Sequence, residues 1–203
     1  MKLFTRTTVA LAAITAIGVA TPQMARADIT PGNTSPVTSG PVAGVWTYQY
    51  EVVLGNAENV QSGDFFILYD FGPSVNPVTI ALLNNAGWSV STALSTTGAA
   101  GTSPVDNPGV LDYKFTYTGA TILGPTTGTV SLGTVTLTST GAPSATAVFH
   151  NWDGRGTDIS TGLPNGNLTS VIVPVLTPEP ASFVLLGTGM LGMVGFVRRR
   201  NKK

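Results

Sequence analysis

Leu111-Asp112-Tyr113-Lys114-Phe115-Thr116-Tyr117-Thr118 alternates apolar and polar side chains without a break. Successive side chains of an extended chain point to opposite faces. This spacing therefore puts Leu111, Tyr113, Phe115 and Tyr117 on one face and Asp112, Lys114, Thr116 and Thr118 on the other. It predicts a half-buried β-strand whose core side is aromatic and whose other side meets solvent. Trp46, Tyr48, Tyr50, Val52 and Leu54 repeat the pattern, with Thr47, Gln49 and Glu51 between them. Phe65-Phe66-Ile67-Leu68-Tyr69 is apolar on both parities, which suits a central strand covered on both faces. Val78, Ile80 and Leu82 follow the Gly72-Pro73 turn. Further strands are expected around 145–151 and 170–176, and the stretch 82–94 fits neither helix nor strand cleanly.

Thr129 to Thr138 breaks the parity rule. Val130 and Leu132 share one face in a regular strand while Val135 and Leu137 share the other, and Gly133 lies between the pairs. A β-bulge near Gly133 would return both pairs to one face. Seven or eight short strands separated by turn residues predict an all-β fold, an antiparallel β-sandwich spanning 44–176, with a closed barrel as the alternative. Residues 28–43, with Pro31, Gly32, Pro36, Gly40 and Pro41, read as a flexible leader.

The formal net charge of +0 over 203 residues conceals a strong asymmetry. Between 28 and 176 nine carboxylates face only Lys114 and Arg155, a net −7. That field repels phosphate backbones and argues against nucleic acid as a partner. The cations are concentrated at the two ends, as Lys2, Arg6 and Arg26, then Arg198, Arg199, Arg200, Lys202 and Lys203. The absence of cysteine excludes disulfides, thiolate zinc sites and a cysteine nucleophile.

Both ends read as addresses. Lys2 and Arg6 precede an apolar run from Val9 to Ala20, and Ala25-Arg26-Ala27 offers small residues at a cleavage site. This predicts a signal peptide over 1–27, removed after Ala27 by signal peptidase. At the other end Thr177-Pro178-Glu179-Pro180 precedes seventeen uncharged residues, 181–197, and then Arg198-Arg199-Arg200. As a helix that run is about 25 Å long, short but sufficient for a transmembrane segment. The basic cluster 198–203 would hold its far end in the cytoplasm and leave the domain outside.

The Pro-Glu-Pro triplet, short apolar helix and arginine cluster together resemble the PEP-CTERM sorting signal over 177–203. The resemblance implies recognition of Pro178, Glu179 and Pro180 by exosortase, an integral-membrane protease often encoded beside exopolysaccharide genes. It implies a protein anchored transiently in the inner membrane with its domain in the periplasm, then found at the cell surface or outside. Ser62-Gly63-Asp64-Phe65-Phe66-Ile67-Leu68-Tyr69-Asp70-Phe71 resembles the β-rich cargo often joined to such tails, for which no activity is implied.

The catalytic inventory between the addresses is thin. His150 is the single histidine, with Ser144 and Ser160 nearby in sequence but no Gly-x-Ser-x-Gly elbow. Asp64, Asp106 and Asp153 sit beside Gly or Asn, where turn capping explains them more simply than acid–base work. His150-Asn151-Trp152-Asp153-Gly154-Arg155-Gly156-Thr157-Asp158 is the densest polar segment. Its Asp153 and Asp158 are calcium-type oxygen ligands without EF-hand spacing. Trp46, Trp88 and Trp152 offer either core packing or a sugar-stacking platform. Thr134, Thr136 and Thr138 form one threonine row, not the multiple rungs of an ice-binding array. The sequence predicts a non-enzymatic surface or matrix component of biofilm exopolysaccharide that needs no cofactor. A carbohydrate- or calcium-binding module is the alternative, with a hydrolase or an ice-binding protein behind it.

Overall fold

The computed structural model describes residues 29–33 and 36–175. Within them eleven strands run as β1 (Ile29–Pro31), β2 (Val37–Val42), β3 (Val45–Leu54), β4 (Glu58–Asn59), β5 (Phe65–Leu68), β6 (Thr79–Leu82), β7 (Trp88–Ala93), β8 (Asp112–Tyr117), β9 (Val130–Ser139), β10 (Val148–Asp158) and β11 (Pro164–Val171). The described helical content is one 3-10 turn, Asn85–Gly87. Among the described residues no helix is long and apolar enough to cross a membrane. The signal peptide with Ala25 and Ala27 lies outside the described residues. So do the sorting residues Pro178, Glu179, Pro180, Arg198, Arg199 and Arg200 and the expected helix 181–197.

The strands form two antiparallel sheets. The first has the order β1-β3-β9-β6 with β2 also on β3, and the second the order β11-β10-β5-β8-β7 with β4 on β10. Their inner faces share one core, as expected of a sandwich. Tyr48, Tyr50, Val52, Leu54, Val135 and Leu137 come from the first sheet, and Phe66, Leu68, Tyr113, Phe115, Tyr117 and Trp152 from the second. The strand at 111–118 is β8, with Tyr113, Phe115 and Tyr117 buried. Phe66 stacks between Phe115 and Trp152 at centroid distances of 4.6 and 4.9 Å, so the aromatic face forms a continuous layer. β5 is central in its sheet and buried at every position.

The bulge is present. Val52 faces Gly133 and Val53 faces Ser131, so Leu132 is the extra residue. Leu132, Val135 and Leu137 all point into the core, whereas Val130 remains exposed at the sheet end. Gly133 is required there, because its φ of 117° is disfavoured for other residues and a Cβ would overlap the carbonyl of Ala81.

The expected leader is corrected. Residues 29–31 and 37–42 are strands that both pair with β3. Ile29 is fully buried, and its carbonyl accepts the indole N–H of Trp152 at 2.9 Å. Prolines and glycines suggested mobility there, but one apolar side chain and one carbonyl fix β1 across both sheets. β10 is also longer than the strand expected around 145–151, because it continues through the glycine-rich segment 152–158. Gly154 lets β1 pass close over it, and the strand is paired on both sides by β11 and by β5 with β4. The ambiguous stretch after Leu82 resolves into the 3-10 turn and the edge strand β7, of which only Trp88 is buried.

Candidate functional site

The outer face of the second sheet carries the polar chemistry. Phe65 and Ile67 of β5 and Tyr69 just beyond it are buried there with Ala99. Their cover is the connection 94–111 between β7 and β8, unusually long for a segment with no strand of its own. Acceptors and donors on the sheet hold it down. Tyr69 donates its hydroxyl to Thr96 O at 3.2 Å, and Val105 N–H donates to His150 O at 3.3 Å. Asp153 Oδ2 accepts Ala99 N–H at 2.7 Å and the Thr102 hydroxyl at 2.8 Å.

At one end of this cover Asp70, Asp106 and Asp112 bring one carboxylate oxygen each within 4.8 Å of one another. Asp112 opens β8 and was expected on the solvent side of the alternation. It does point away from the core, but the connection buries it completely. Its Oδ1 accepts the N–H of Asp70 at 3.0 Å, and the Thr96 hydroxyl lies beside the same carboxyl. Asp70 follows β5 with φ 58°, a left-handed conformation that Asp tolerates better than most residues, and its Oδ1 accepts Asn107 N–H at 3.0 Å. Asp106 Oδ2 accepts the Ser95 hydroxyl at 2.9 Å.

Burial, followed by the charges of Asp106 and Asp70, pushes the Asp112 carboxyl up to about 6 against the pull of the Asp70 N–H. Asp70 is raised as well, by burial first and by Asp106 second. Such a group can lose its like-charge repulsion to protons or to a bound cation. The sequence alone makes Asp106 a turn cap and Asp112 a solvated strand residue. The strand pattern carried no sign that they meet Asp70, because the connection that brings them together has no periodicity.

The residues singled out from sequence are placed differently. Asp153 and Asp158 lie five positions apart on the extended strand β10, roughly 16 Å, so the two cannot share one ion. Asp153 is spent on Ala99 and Thr102. Asp158 Oδ1 accepts N–H groups and hydroxyls from Ser160 and Thr161, which pull its carboxyl far below the usual range. Trp152 is fully buried, and Trp88 is 6% exposed with its N–H donated to Leu83 O at 3.1 Å. Trp46 packs against the core. Neither Trp88 nor Trp152 presents an open ring to a sugar. Ser144 donates its hydroxyl to Thr146 O and Ser160 donates to Asp158, while His150 N–H donates to Ser170 Oγ.

Two further features complete the polar surface. Asp64 accepts Gln61 N–H at 2.8 Å and the Thr157 hydroxyl at 3.0 Å, and pairs with Arg155 Nε at 3.5 Å. Lys114 Nζ and the Arg155 guanidinium stand 4.0 and 5.3 Å from the centre of the Phe65 ring, favourable cation–π positions. An open groove lined by Asn84, Gly87, Tyr117 and Gly119 carries no carboxylate, histidine or cation. Its Tyr117 hydroxyl donates to Ala120 O.

Beyond the described residues, the family model of the PEP-CTERM protein-sorting motif matches residues 176–200. The chain thus carries this motif, which implies export, transient association with the membrane during sorting, and processing by exosortase. No curated protein and no solved structure matches the chain.

Proposed function

We propose that this chain is a non-catalytic β-sandwich module that its sorting motif delivers to the cell surface, where it serves as a structural component of an exopolysaccharide matrix. The sorting motif carries the reading. It covers residues 176–200, directly C-terminal to the β-rich residues that the structure describes. Val175 N–H donates to Ala142 O at 2.7 Å and Pro174 bridges Pro143, so the described chain is held to the domain up to the matched motif. A β-rich cargo with the recognition segment C-terminal to it suits a membrane protease that acts on the tail and leaves the cargo intact.

In this reading signal peptidase removes 1–27 and the apolar segment 181–197 holds the protein in the inner membrane with the domain in the periplasm. Exosortase then acts around Pro178-Glu179-Pro180. The non-catalytic part is supported by how the polar groups are used. The candidate acids cap turns, hold the 94–111 connection or crowd together, and the two buried tryptophans serve the core.

The test is fractionation in the native host. Glu179→Ala leaves the apolar run and Arg198-Arg199-Arg200 intact, so insertion proceeds, and the full-length protein should accumulate in the membrane fraction. The wild type should behave in the same way in a host that lacks exosortase. Released wild-type protein should co-sediment with exopolysaccharide and be freed by its enzymatic digestion. Normal release of the Glu179 variant would make the triplet incidental, and failure to co-sediment would remove the matrix role.

A further inference from the structure

We propose that Asp70, Asp106 and Asp112 form a calcium site that clamps the connection 94–111 onto the second sheet. Oxygens that share one calcium ion at 2.3–2.6 Å are at most about 5 Å apart. Three carboxylates already meet that limit, with ligand atoms within 4.8 Å of one another.

The independent observation is an unmatched oxygen. Asp112 is 0% exposed, yet its Oδ2 has no hydrogen-bond partner, and the buried Oδ1 of Asp106 has none either. The other oxygen of each is satisfied, by Asp70 N–H and by the Ser95 hydroxyl. Two of the buried carboxylate oxygens without a hydrogen-bond partner among the described residues thus fall in this one cluster, whereas Asp153 Oδ1, another, stands apart with no second carboxylate beside it in such a group. A buried carboxylate oxygen without a donor is costly, and the cost grows when two further carboxylates adjoin it. The domain's own cations are committed elsewhere, Lys114 over Phe65 and Arg155 between Phe65 and Asp64.

The donor set selects the ion. Oxygen ligands alone favour a hard cation over zinc or copper, which seek imidazole or thiolate. The three carboxylates come from the second residue beyond β5, from the connection and from the first residue of β8. Such an irregular set suits the variable coordination of calcium, with water completing the shell, better than the strict octahedron of magnesium. Extracellular calcium modules commonly bind with Kd of about 10⁻⁴ to 10⁻³ M, a range an exported protein meets. Bound there, the ion would offset two of the three negative charges and fix the cover over Phe65, Ile67 and Tyr69.

The test uses the exported protein stripped with chelator, then titrated with CaCl2 or MgCl2 by calorimetry and followed by thermal unfolding. One calcium should bind per chain. At tenfold excess over Kd the folded-to-unfolded ratio rises about elevenfold and Tm by about 3–6 °C. Asp112→Asn keeps the acceptor of the Asp70 N–H but removes a charge, so without calcium its Tm should equal or exceed that of the wild type, while the calcium response disappears. Asp106→Asn, on the partly exposed connection, should lose the response too and serves if Asp112→Asn does not fold. The proposal is overturned if calcium leaves the wild type unchanged, if both variants keep the full response, or if magnesium matches calcium.

Discussion

Replacing Gly154 by alanine pushes a methyl group into the backbone of β1. A Cβ at that position overlaps the carbonyl oxygen of Ile29 and lies 2.7 Å from its carbonyl carbon. The glycine's own φ is not in the left-handed region, so alanine would be acceptable but for this contact. The partner is backbone, which cannot rotate away, and β1 must lift. Two losses follow. Ile29 leaves a fully buried position, at about 1.5–3 kcal/mol. Trp152 Nε1 loses its acceptor while remaining buried, at about 1–3 kcal/mol. The lower chain entropy of an unfolded alanine returns about 0.4–1 kcal/mol. The net is about 2–5 kcal/mol, a large part of the stability of an ordinary domain. Urea unfolding followed by tryptophan fluorescence measures it. With a slope of about 2 kcal/mol/M, the midpoint should fall by about 1–2.5 M. Ile29→Ala provides the control, since in a Gly154→Ala background where β1 has already lifted its own cost should nearly vanish. A Gly154→Ala midpoint within 0.2 M of wild type, or strict additivity of the two changes, would refute the placement of β1.

Other outcomes are equally definite. Asp153 is raised above its ordinary 3.8 by burial, against the pull of Ala99 N–H, Thr102 and Lys114. Its neutral form is favoured in the fold, so this group's contribution to stability is fully present below 3.8 and is lost as pH rises through the folded value. Asp153→Asn retains the acceptor for both donors, and should gain Tm relative to wild type at pH 7 while the gain shrinks toward pH 4; an equal difference at both pH values would contradict the assignment. Gly133→Ala should cost about 2–4 kcal/mol in chemical denaturation, since it combines a disfavoured φ with overlap on Ala81 O. Trp88 and Trp152 should resist acrylamide quenching, and neutral oligosaccharides should leave their emission unchanged, because both rings are buried.

The strand alternation made most of the sandwich legible. The parity of 46–54 and 111–118 gave two core faces, the doubly apolar 65–69 gave a central strand, and the parity break around Gly133 gave a bulge. What escaped has a physical cause. β1 is three residues long and contributes a single core side chain, so no period exists to detect. β11 is largely Asn, Gly, Thr and Ser and is held by backbone pairing to β10 rather than by an apolar face. The carboxylate cluster is harder still. Asp70 and Asp112 are 42 positions apart and meet because β5 and β8 are neighbours, with Phe66 opposite Phe115. Asp106 joins them through an aperiodic connection. Strand pairing and loop path decide such a site, and neither is written in hydrophobic spacing. The sorting tail is the opposite case, legible from linear order alone, because the motif is a short run of contiguous residue types, matched at 176–200.

The most direct measurement of export and sorting is the intact mass of the protein released by the native host. Processing at both addresses predicts a chain that starts at Asp28 and lacks the apolar segment 181–197 with the arginine cluster behind it. A released protein that keeps Met1, or one that carries the complete tail to Lys203, would contradict it.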